Sequence, residues 1–339
     1  MRISSRKKEK VPEAIRFVLL VMILMIFAVV LSQSTEATMA DSAEDSVEPT
    51  EVNPLLFFFI LLIVCTVIGI LAPLSGTGGA VVFTPVFMGF TSIDSYIIRT
   101  TGLVIAMSGA LVAARPFLKK GIANIRLVLI GSVPYALFAV IGALLARYIK
   151  TNLGNASEAY IRGSLGIIVI CVGCLFIFLG KRVEYPGVKN EDTSTQRSIL
   201  SLPYYEASLG KVVDYKIIKV GIGLILFCGV GLISGLFGLG AGWALVPVFN
   251  MVMLAPLKVA ATCSTVMTSI GSTAAVWPYI RGGGMFPLFA VPCMIGLIGG
   301  ALIGSRIMVK VKAGFIRWII IAVMMGAGVR LVIKAITML

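Results

Sequence analysis

The sequence contains no histidine, and only 15 of its residues are Asp or Glu. The first absence excludes a three-histidine zinc site and a histidine general base. No Asp or Glu falls inside a predicted apolar segment, so the carboxylate relays common in proton-driven transporters have no obvious residues here. Neither a nucleophile–base pair nor a metal-ligand cluster is apparent, which disfavours an intramembrane enzyme, and we expect no metal or cofactor.

The six cysteines and the net charge of +14 exclude two further classes. All six cysteines lie within apolar runs, whereas a disulfide framework belongs in extracellular loops. The Lys and Arg residues stand between apolar runs rather than in one basic domain, so they are interpreted as topology signals and not as a nucleic-acid surface.

What the sequence has in abundance is apolar residues, at 58%. Runs near the roughly 20 residues that cross a bilayer recur along the chain, which predicts an all-α, polytopic membrane protein embedded in the plasma membrane. The predicted segments of the first half are 55–74, 79–90, 97–115, 125–146 and 161–180. Those of the second half are 216–237, 241–254, 257–279, 285–307 and 314–337. Residues 55–180 and 216–339 are therefore predicted to be two membrane units, joined by a cytoplasmic connector at 181–215.

Residues 1–54 precede these units. A basic start is followed by an apolar run from Phe17 to Leu31 and an acidic linker. The run is interpreted as an uncleaved anchor helix, with a signal peptide cleaved near Thr38-Met39-Ala40 as the alternative. Both interpretations place 33–54 outside the cell.

The distribution of Lys and Arg predicts the orientation. With a cytoplasmic amino terminus and every segment crossing, 22 of the 29 Lys and Arg lie inside. The seven left outside are Arg99, Arg147, Lys150, Arg162, Arg281, Arg330 and Lys334. Five crossings per unit would make the repeats inverted. If the short segments 79–90 and 241–254 return to the face they enter from, the repeats would instead be parallel.

The two halves align without a gap at an offset of 162 residues. SGTGGAVVFTP, from Ser75 to Pro85, aligns with the end of GLFGLGAGWALVP, from Gly235 to Pro247. Gly-rich interruptions at corresponding positions of two membrane halves predict the binding site of a transporter. Unwound backbone at membrane depth survives only where it is buried or lines a cavity.

A new helix beginning after each break would direct free N–H groups and a positive dipole end at a ligand, which favours an anion. Hydroxyls on the following helices could add donors, although a Ser or Thr hydroxyl often binds a carbonyl of its own helix instead. Thr262, Thr265, Ser269 and Ser272 share one helix face by their spacing. The candidate substrate-binding residues are Ser75, Gly76, Thr77, Gly78, Gly79, Thr100, Thr101, Ser108, Gly238, Gly240, Ala241, Gly242, Thr262, Thr265 and Ser269.

These motifs, with the helices IIRTTGLVIAMSGA and VAATCSTVMTSIGS that follow them, resemble the sulfite exporter TauE/SafE family of permeases over about residues 55–337. The resemblance implies transport of sulfite, sulfonates or related sulfur oxyanions, mostly outward and without ATP. Many members have Thr-Asn at the start of this Thr-containing helix. This chain has Thr101-Gly102 and Thr262-Cys263 instead, so an amide that could bind an oxyanion is missing from both copies.

The sequence thus predicts a secondary permease that exports a small sulfur-containing oxyanion. A sodium- or proton-coupled importer, or a permease for another small anion, is the alternative within transport. An assembly scaffold is the alternative outside it, although a scaffold needs no matched helix breaks. A small anion and lipid are the expected partners, and pairing with a second copy as a homodimer is left open.

Overall fold

The computed structural model describes residues 54–75, 79–91, 93–119, 123–154, 156–178, 204–206, 211–213, 215, 217–308 and 313–338. The predicted anchor or signal segment, most of the connector, and Gly76, Thr77 and Gly78 lie outside these residues. The described part of the chain is almost entirely helical, which confirms the predicted fold class.

Ten apolar segments were predicted, and each corresponds to a helix or a helical segment. In the first half these are α1 (Pro54–Ser75), α2 (Ala80–Phe90), α3 (Ser95–Lys119), α4 (Ile125–Leu153) and α5 (Ala156–Phe178). In the second half they are α6 (Val220–Phe237), α7 (Gly242–Pro247) with a π-helical continuation (Val248–Val252), α8 (Leu257–Arg281), α9 (Pro287–Met308) and α10 (Ala313–Met338). The connector contains a small antiparallel hairpin of β1 (Tyr204–Glu206) and β2 (Lys211–Val213).

Six of the described helices are long and apolar enough to cross a membrane. They are α3, α4, α5, α6, α8 and α10. Many of their large apolar side chains are exposed, such as Ile225 at 72% and Val133 at 67%. An exposed apolar belt around a buried core is what a lipid environment requires, so the chain is a multi-pass membrane protein.

Helices pair across the two halves, and the first helix of each half packs on the fourth helix of the other. α1, the first helix of its half, packs on α9, and α6 packs on α4. Small residues permit the close approach: a side chain at Gly300 would overlap the carbonyl oxygen of Thr66, and one at Gly235 would overlap that of Ala139. The third elements, α3 and α8, pack on each other, as do the fifth elements, α5 and α10.

The loops gather at two ends of the bundle. At the end that we call the Lys150 end, Lys150 forms an ion pair with Asp94 at 2.6 Å, and Ser95 donates to Glu158 at 2.7 Å. At the opposite end, the Asn124 end, the amide of Asn124 donates to Tyr215 at 3.0 Å. α2 runs from the first break to the Lys150 end, whereas the π-helical continuation of α7 runs from the second break to the Asn124 end.

The two short helices are anchored differently. Three cationic side chains bind carbonyls at the end of α2: Arg162 donates to Ile93 at 2.9 Å, Arg330 to Gly89 at 3.1 Å and Lys334 to Thr91 at 2.8 Å. Arg162 also donates to Met88 and Thr91. After the π-helical segment of the second half, neutral N–H groups donate to the backbone carbonyls instead. The Asn250 amide donates to Ala255 at 3.0 Å, and Ile218 donates its backbone N–H to Met253 at 3.2 Å.

Two arginines that the charge count assigns to the outside lie in the predicted segments 97–115 and 161–180. Arg99 is in α3 and Arg162 is in α5, and both are fully buried. Backbone carbonyls of neighbouring elements accept from both guanidinium groups. Glu158, which the sequence places in a loop, lies in the first turn of α5 and accepts from Arg162 at 2.9 Å. That placement was wrong because a charge just before an apolar run looks like a loop residue.

Candidate functional site

The second glycine break is fully described. α6 ends at Phe237, and Gly238 follows with a φ of 67°, its N–H donating to the Ser234 carbonyl at 2.9 Å. Gly240 also has a φ of 67°, a conformation that glycine adopts without strain. Ala241 then precedes the first residue of α7, Gly242. The break is buried inside the bundle, as unwound backbone at membrane depth must be.

The first break is described from Gly79 onward. Ser75 is the last residue of α1, and Gly79 occupies the cap position of α2, where its carbonyl accepts from Val82 and Phe83. Among the residues that the structure describes, no side chain caps the start of α2 and none caps the start of α7. The first N–H groups of a helix have no partner within the helix, so two uncapped starts provide donors for a ligand.

The two breaks meet in the middle of the bundle. A β-carbon at Gly240 would lie 3.1 Å from that of Ala106, 3.7 Å from that of Ala80 and 3.9 Å from the methyl group of Thr268. Ala80 is the first residue of α2, so the starts of α2 and α7 are neighbours. Ala106 and Thr268 lie on α3 and α8, separated in sequence by the same 162 residues that relate the breaks. Corresponding positions of both halves therefore surround Gly240.

Backbone carbonyls of the second break are already engaged. The Thr84 hydroxyl donates to Gly238 at 3.0 Å, and the Trp243 indole N–H donates to Gly240 at 3.1 Å. Gly102 makes this possible, because a side chain there would overlap both the Gly238 carbonyl and the Thr84 hydroxyl. With these two carbonyls bonded and the helix starts uncapped, the described part of the site offers backbone N–H groups, which suit an anion.

The predicted hydroxyls bind their own helices. Thr262 donates to Val259, Thr265 to Ala261 and Ser269 to Val266, at distances of 3.0, 2.8 and 2.7 Å. Thr100 donates to Tyr96 at 2.7 Å and Ser108 to Ile105 at 3.2 Å. Each of these protons is therefore already used, and a ligand would have to displace a helix carbonyl to receive it.

Three other hydroxyls are different, those of Thr101, Thr268 and Ser272, the last of which lies near the Tyr135 hydroxyl. The side-chain oxygens of Thr101 and Thr268 are buried and have no hydrogen-bond partner within the described residues. Thr101 belongs to the predicted set, but Thr268 does not, because the spacing that selects Thr265 and Ser269 passes over it. Only the fold places Thr268 against Gly240. A buried hydroxyl without a partner is costly, so a ligand accepting from it would bring a clear gain.

A fully buried cation lies beside the break. The Arg99 guanidinium donates to Leu236, near the carboxyl end of α6, at 3.0 Å and to Ser95, in the first turn of its own helix, at 3.1 Å. The Tyr279 hydroxyl donates to the same Leu236 carbonyl at 2.9 Å. The charge of Arg99 is thus stabilised in part by a carbonyl at the carboxyl end of a helix. A side chain at Gly238 would overlap the Arg99 backbone, so Arg99 lies directly next to the break.

Comparison with known proteins identifies the family of the chain. The family model for the sulfite exporter TauE/SafE matches residues 61–331. A curated relative, the probable membrane transporter protein YunE of Bacillus subtilis (strain 168), is 23% identical over 290 residues. The alignment covers 82% of this chain and 98% of the relative. No solved structure matches the chain. The family match spans most of the chain and both glycine breaks, and the chain therefore belongs to the sulfite exporter TauE/SafE family of membrane transporters.

Proposed function

We propose that the chain is a secondary permease that exports a small sulfur-containing oxyanion, such as sulfite or an organosulfonate, and binds it between the two helix starts. The observation that carries the proposal is the meeting of the uncapped starts of α2 and α7 beside Gly240. Two dipole ends and two sets of free N–H groups then act on one anion. Gly79, Gly240, Ala241 and Gly242 supply this backbone, and Thr101 and Thr268 are the hydroxyls available to assist it.

The engaged carbonyls favour an anion over sodium. Broken helices in transporters can hold a sodium ion through unwound carbonyls. Here the Gly238 carbonyl accepts from Thr84 and the Gly240 carbonyl accepts from Trp243. The nearest buried charge, on Arg99, is positive and would repel a cation. Both features support anion binding.

Export follows from the membrane potential. An anion that leaves a cell with a negative interior gains about 2.3 kcal/mol per charge per 100 mV, so outward flux needs no coupling ion. Uptake would need one. Sodium-coupled uptake is the competing function, since the Gly-rich breaks are also the usual position of sodium sites.

We further infer that residues 55–180 and 216–339 are inverted repeats with a cytoplasmic amino terminus. Two observations support the inversion. Helix pairing exchanges the first and fourth elements of the halves, and α2 and the π-helical continuation of α7 run to opposite ends of the bundle. The orientation rests on the excess of Lys and Arg in the loops assigned to the inside.

The test is flux of radiolabelled sulfite in proteoliposomes of the full chain, with the membrane potential clamped and then reversed. We expect flux that follows the potential without a sodium or proton gradient. Gly240→Leu should abolish it, because the side chain would fill the space between the helix starts. Gly229→Leu is the matched control: Gly229 lies on α6, where an added β-carbon would meet nothing within 4 Å.

Two results would contradict the proposal. Equal flux in Gly240→Leu and Gly229→Leu would remove the break from the transport path. Flux that requires a sodium gradient would replace anion export with coupled uptake. A cysteine at position 282 should also react with an impermeant thiol reagent from outside while one at position 187 resists it, and the opposite labelling would reverse the topology.

A further inference from the structure

A basic cavity opens at the Lys150 end of the bundle. Its volume is about 360 Å³, within the range of small-ligand pockets. The lining residues are Tyr96, Arg147, Lys150, Thr151, Arg281 and Gly282. We call this cavity the basic cup. It is formed where α4 and α8 end and α3 begins, so three helices of the central bundle contribute to it.

The charges of the cup are incompletely neutralised. Asp94 forms an ion pair with Lys150 at 2.6 Å, and its carboxylate also accepts from the Tyr96 backbone N–H at 2.6 Å. Burial raises the pKa of Asp94, but the hydrogen bond from Lys150, that backbone N–H and the charges of Lys150 and Arg99 outweigh it, so the pKa stays below its ordinary value. Asp94 is therefore ionised at neutral pH and offsets one of the three positive charges of the cup.

The position of these cations is unusual for a membrane protein. Loops outside the cell carry few Lys and Arg, and the sequence assigns only seven to this side. Arg99 and Arg162 prove to be buried on carbonyls. Arg330 and Lys334 bind the end of α2. The remaining three, Arg147, Lys150 and Arg281, all line the one cavity. Each of the seven therefore either binds backbone carbonyls or lines the basic cup.

Buried side chains connect the base of the cup with the glycine break. The rings of Tyr96 and Tyr279 lie against each other, with their centroids 4.7 Å apart and their planes tilted by 41°. Behind them the Arg99 guanidinium lies 5.6 Å from the first ring and 5.8 Å from the second. Arg99 in turn contacts Leu236, two residues before Gly238. Positive charge thus continues from the surface, past a pair of aromatic rings, to the proposed binding site.

We propose that the basic cup is an anion-binding vestibule for small oxyanions and sulfonates, and that the paired Tyr96 and Tyr279 rings separate it from the site at the break. The vestibule raises the local anion concentration at the outer mouth of the path, where an exported anion leaves the protein, as charge-lined clefts do. This inference rests on the proposed anion transport and adds to it a second site. The Tyr96 and Tyr279 rings lie between that second site and the first.

The vestibule can be tested without transport. A cysteine introduced by Thr151→Cys would report the local potential through its rates of reaction with anionic 2-sulfonatoethyl methanethiosulfonate and with its cationic trimethylammonium analogue. Exposed Cys171 and half-buried Cys174 and Cys228 are replaced by serine in the background. We expect the ratio of anionic to cationic rate to fall about tenfold when Arg147→Gln and Arg281→Gln are added, because two charges are removed beside the reporter.

The control removes the same kind of charge at the other end. Lys258 is exposed near the Asn124 end, and Lys258→Gln should leave the ratio unchanged. Arg147 and Arg281 are exposed, so their loss leaves no buried group unpaired. In proteoliposomes with the cup facing the sulfite solution, the paired Arg substitutions should raise the KM for sulfite about fivefold or more and leave the maximal rate within twofold.

Each outcome decides one point. An unchanged labelling ratio would overturn the vestibule, whatever happens to flux. A fallen ratio with an unchanged KM would show a positive cavity outside the transport path and would also overturn it. Absence of sulfite flux in the parent chain would refute the proposed function, and the labelling ratio would still determine whether the cup attracts anions.

Discussion

The hydroxyl of Thr84, in the first half of the chain, donates a 3.0 Å hydrogen bond to the carbonyl of Gly238, in the second half. Thr84 lies one turn into α2, and Gly238 directly follows the last residue of α6. The short helix of one half is therefore fastened to the break of the other. Any movement of α2 must either carry the second break with it or give up this bond.

Replacing Thr84 by Val should uncouple the two breaks. The shape is kept, but the buried Gly238 carbonyl loses its donor, which costs about 1–3 kcal/mol. We expect a lower unfolding temperature in detergent and reduced sulfite flux. Thr84→Ser keeps the hydroxyl and should retain most of both. Equal flux in the two variants would show that the bond is not needed for transport.

Alanine at the two described break glycines should separate folding from binding. At Gly238 the methyl group would overlap the Arg99 backbone, which cannot move aside, so Gly238→Ala should prevent correct folding. At Gly240 the nearest atom is the Ala106 methyl at 3.1 Å, and the φ of 67° adds about 1–2 kcal/mol of strain. Gly240→Ala should therefore fold, with a lower unfolding temperature, and transport slowly. Size-exclusion profiles and flux measure the two effects, and a monodisperse, active Gly238→Ala would contradict them.

Thr268→Val should raise stability and weaken binding. Removing a buried hydroxyl that has no partner within the described residues relieves a penalty of about 1–3 kcal/mol. If Thr268 donates to the anion, the same change should raise the KM for sulfite several-fold. Thr265→Val is the comparison, because its hydroxyl already binds Ala261 at 2.8 Å. A more stable Thr268→Val with an unchanged KM would exclude this hydroxyl from the site.

Loss of Arg162 should destabilise the anchor of α2. Its guanidinium is buried and donates to Glu158 and to carbonyls at the end of α2. Arg162→Gln leaves these groups without their donor, at a cost of about 3–5 kcal/mol. The unfolding temperature in detergent should fall sharply. Adding Glu158→Gln should recover part of the loss, and no recovery would mean that the carbonyls dominate.

Asp94 gives a pH dependence with a defined sign. Because its pKa is lowered in the folded chain, the ion pair with Lys150 contributes stability above the ordinary pKa of an aspartate, near 3.9, and loses it as the pH falls through the lowered value. Asp94→Asn keeps an oxygen for the Tyr96 N–H and removes this acid-dependent part. Unfolding temperatures from pH 7 to pH 3 should fall less steeply in the variant, and parallel curves would contradict the assignment.

Asp94→Asn makes a second, separate prediction at neutral pH. The substitution removes the negative charge that faces Lys150 and so raises the net positive charge of the basic cup. We expect a lower KM for sulfite from that side and a stronger dependence on ionic strength. A KM that rises instead would mean that Lys150 must be held by Asp94 to act.

The helices could be predicted because lipid imposes a simple rule on them. Apolar length and the 162-residue register located all ten segments, including the short ones at 79–90 and 241–254. The start of α5 was predicted at 161 but lies at Ala156. Ser157 and Glu158 interrupt the apolar pattern there, yet their side chains bond within the fold, to Gly154 and Ser95, and so belong to the helix.

The candidate site could be predicted only where it is made of backbone. Closely spaced glycines at corresponding positions of the two halves are typical of a helix break, so the break at Gly238 and Gly240 was predicted directly. Thr84, Thr268 and Arg99 were not, because each acts through a partner more than twenty residues away. Spacing along one helix selects residues that share a face, but it cannot tell whether the face meets a ligand or whether its hydroxyls turn back to their own carbonyls.

The unequal anchoring of the two short helices has a kinetic consequence. Arg162, Arg330 and Lys334 hold the end of α2 by charge, whereas the corresponding end in the second half is held by neutral groups around Asn250. In an alternating carrier, we expect the short helix of the second half, which neutral groups hold, to return to its position over a lower free-energy barrier than α2. Such a difference changes rates but not equilibria. The two membrane faces would then show different half-saturation concentrations, while net flux would still vanish at equal sulfite concentrations and zero potential.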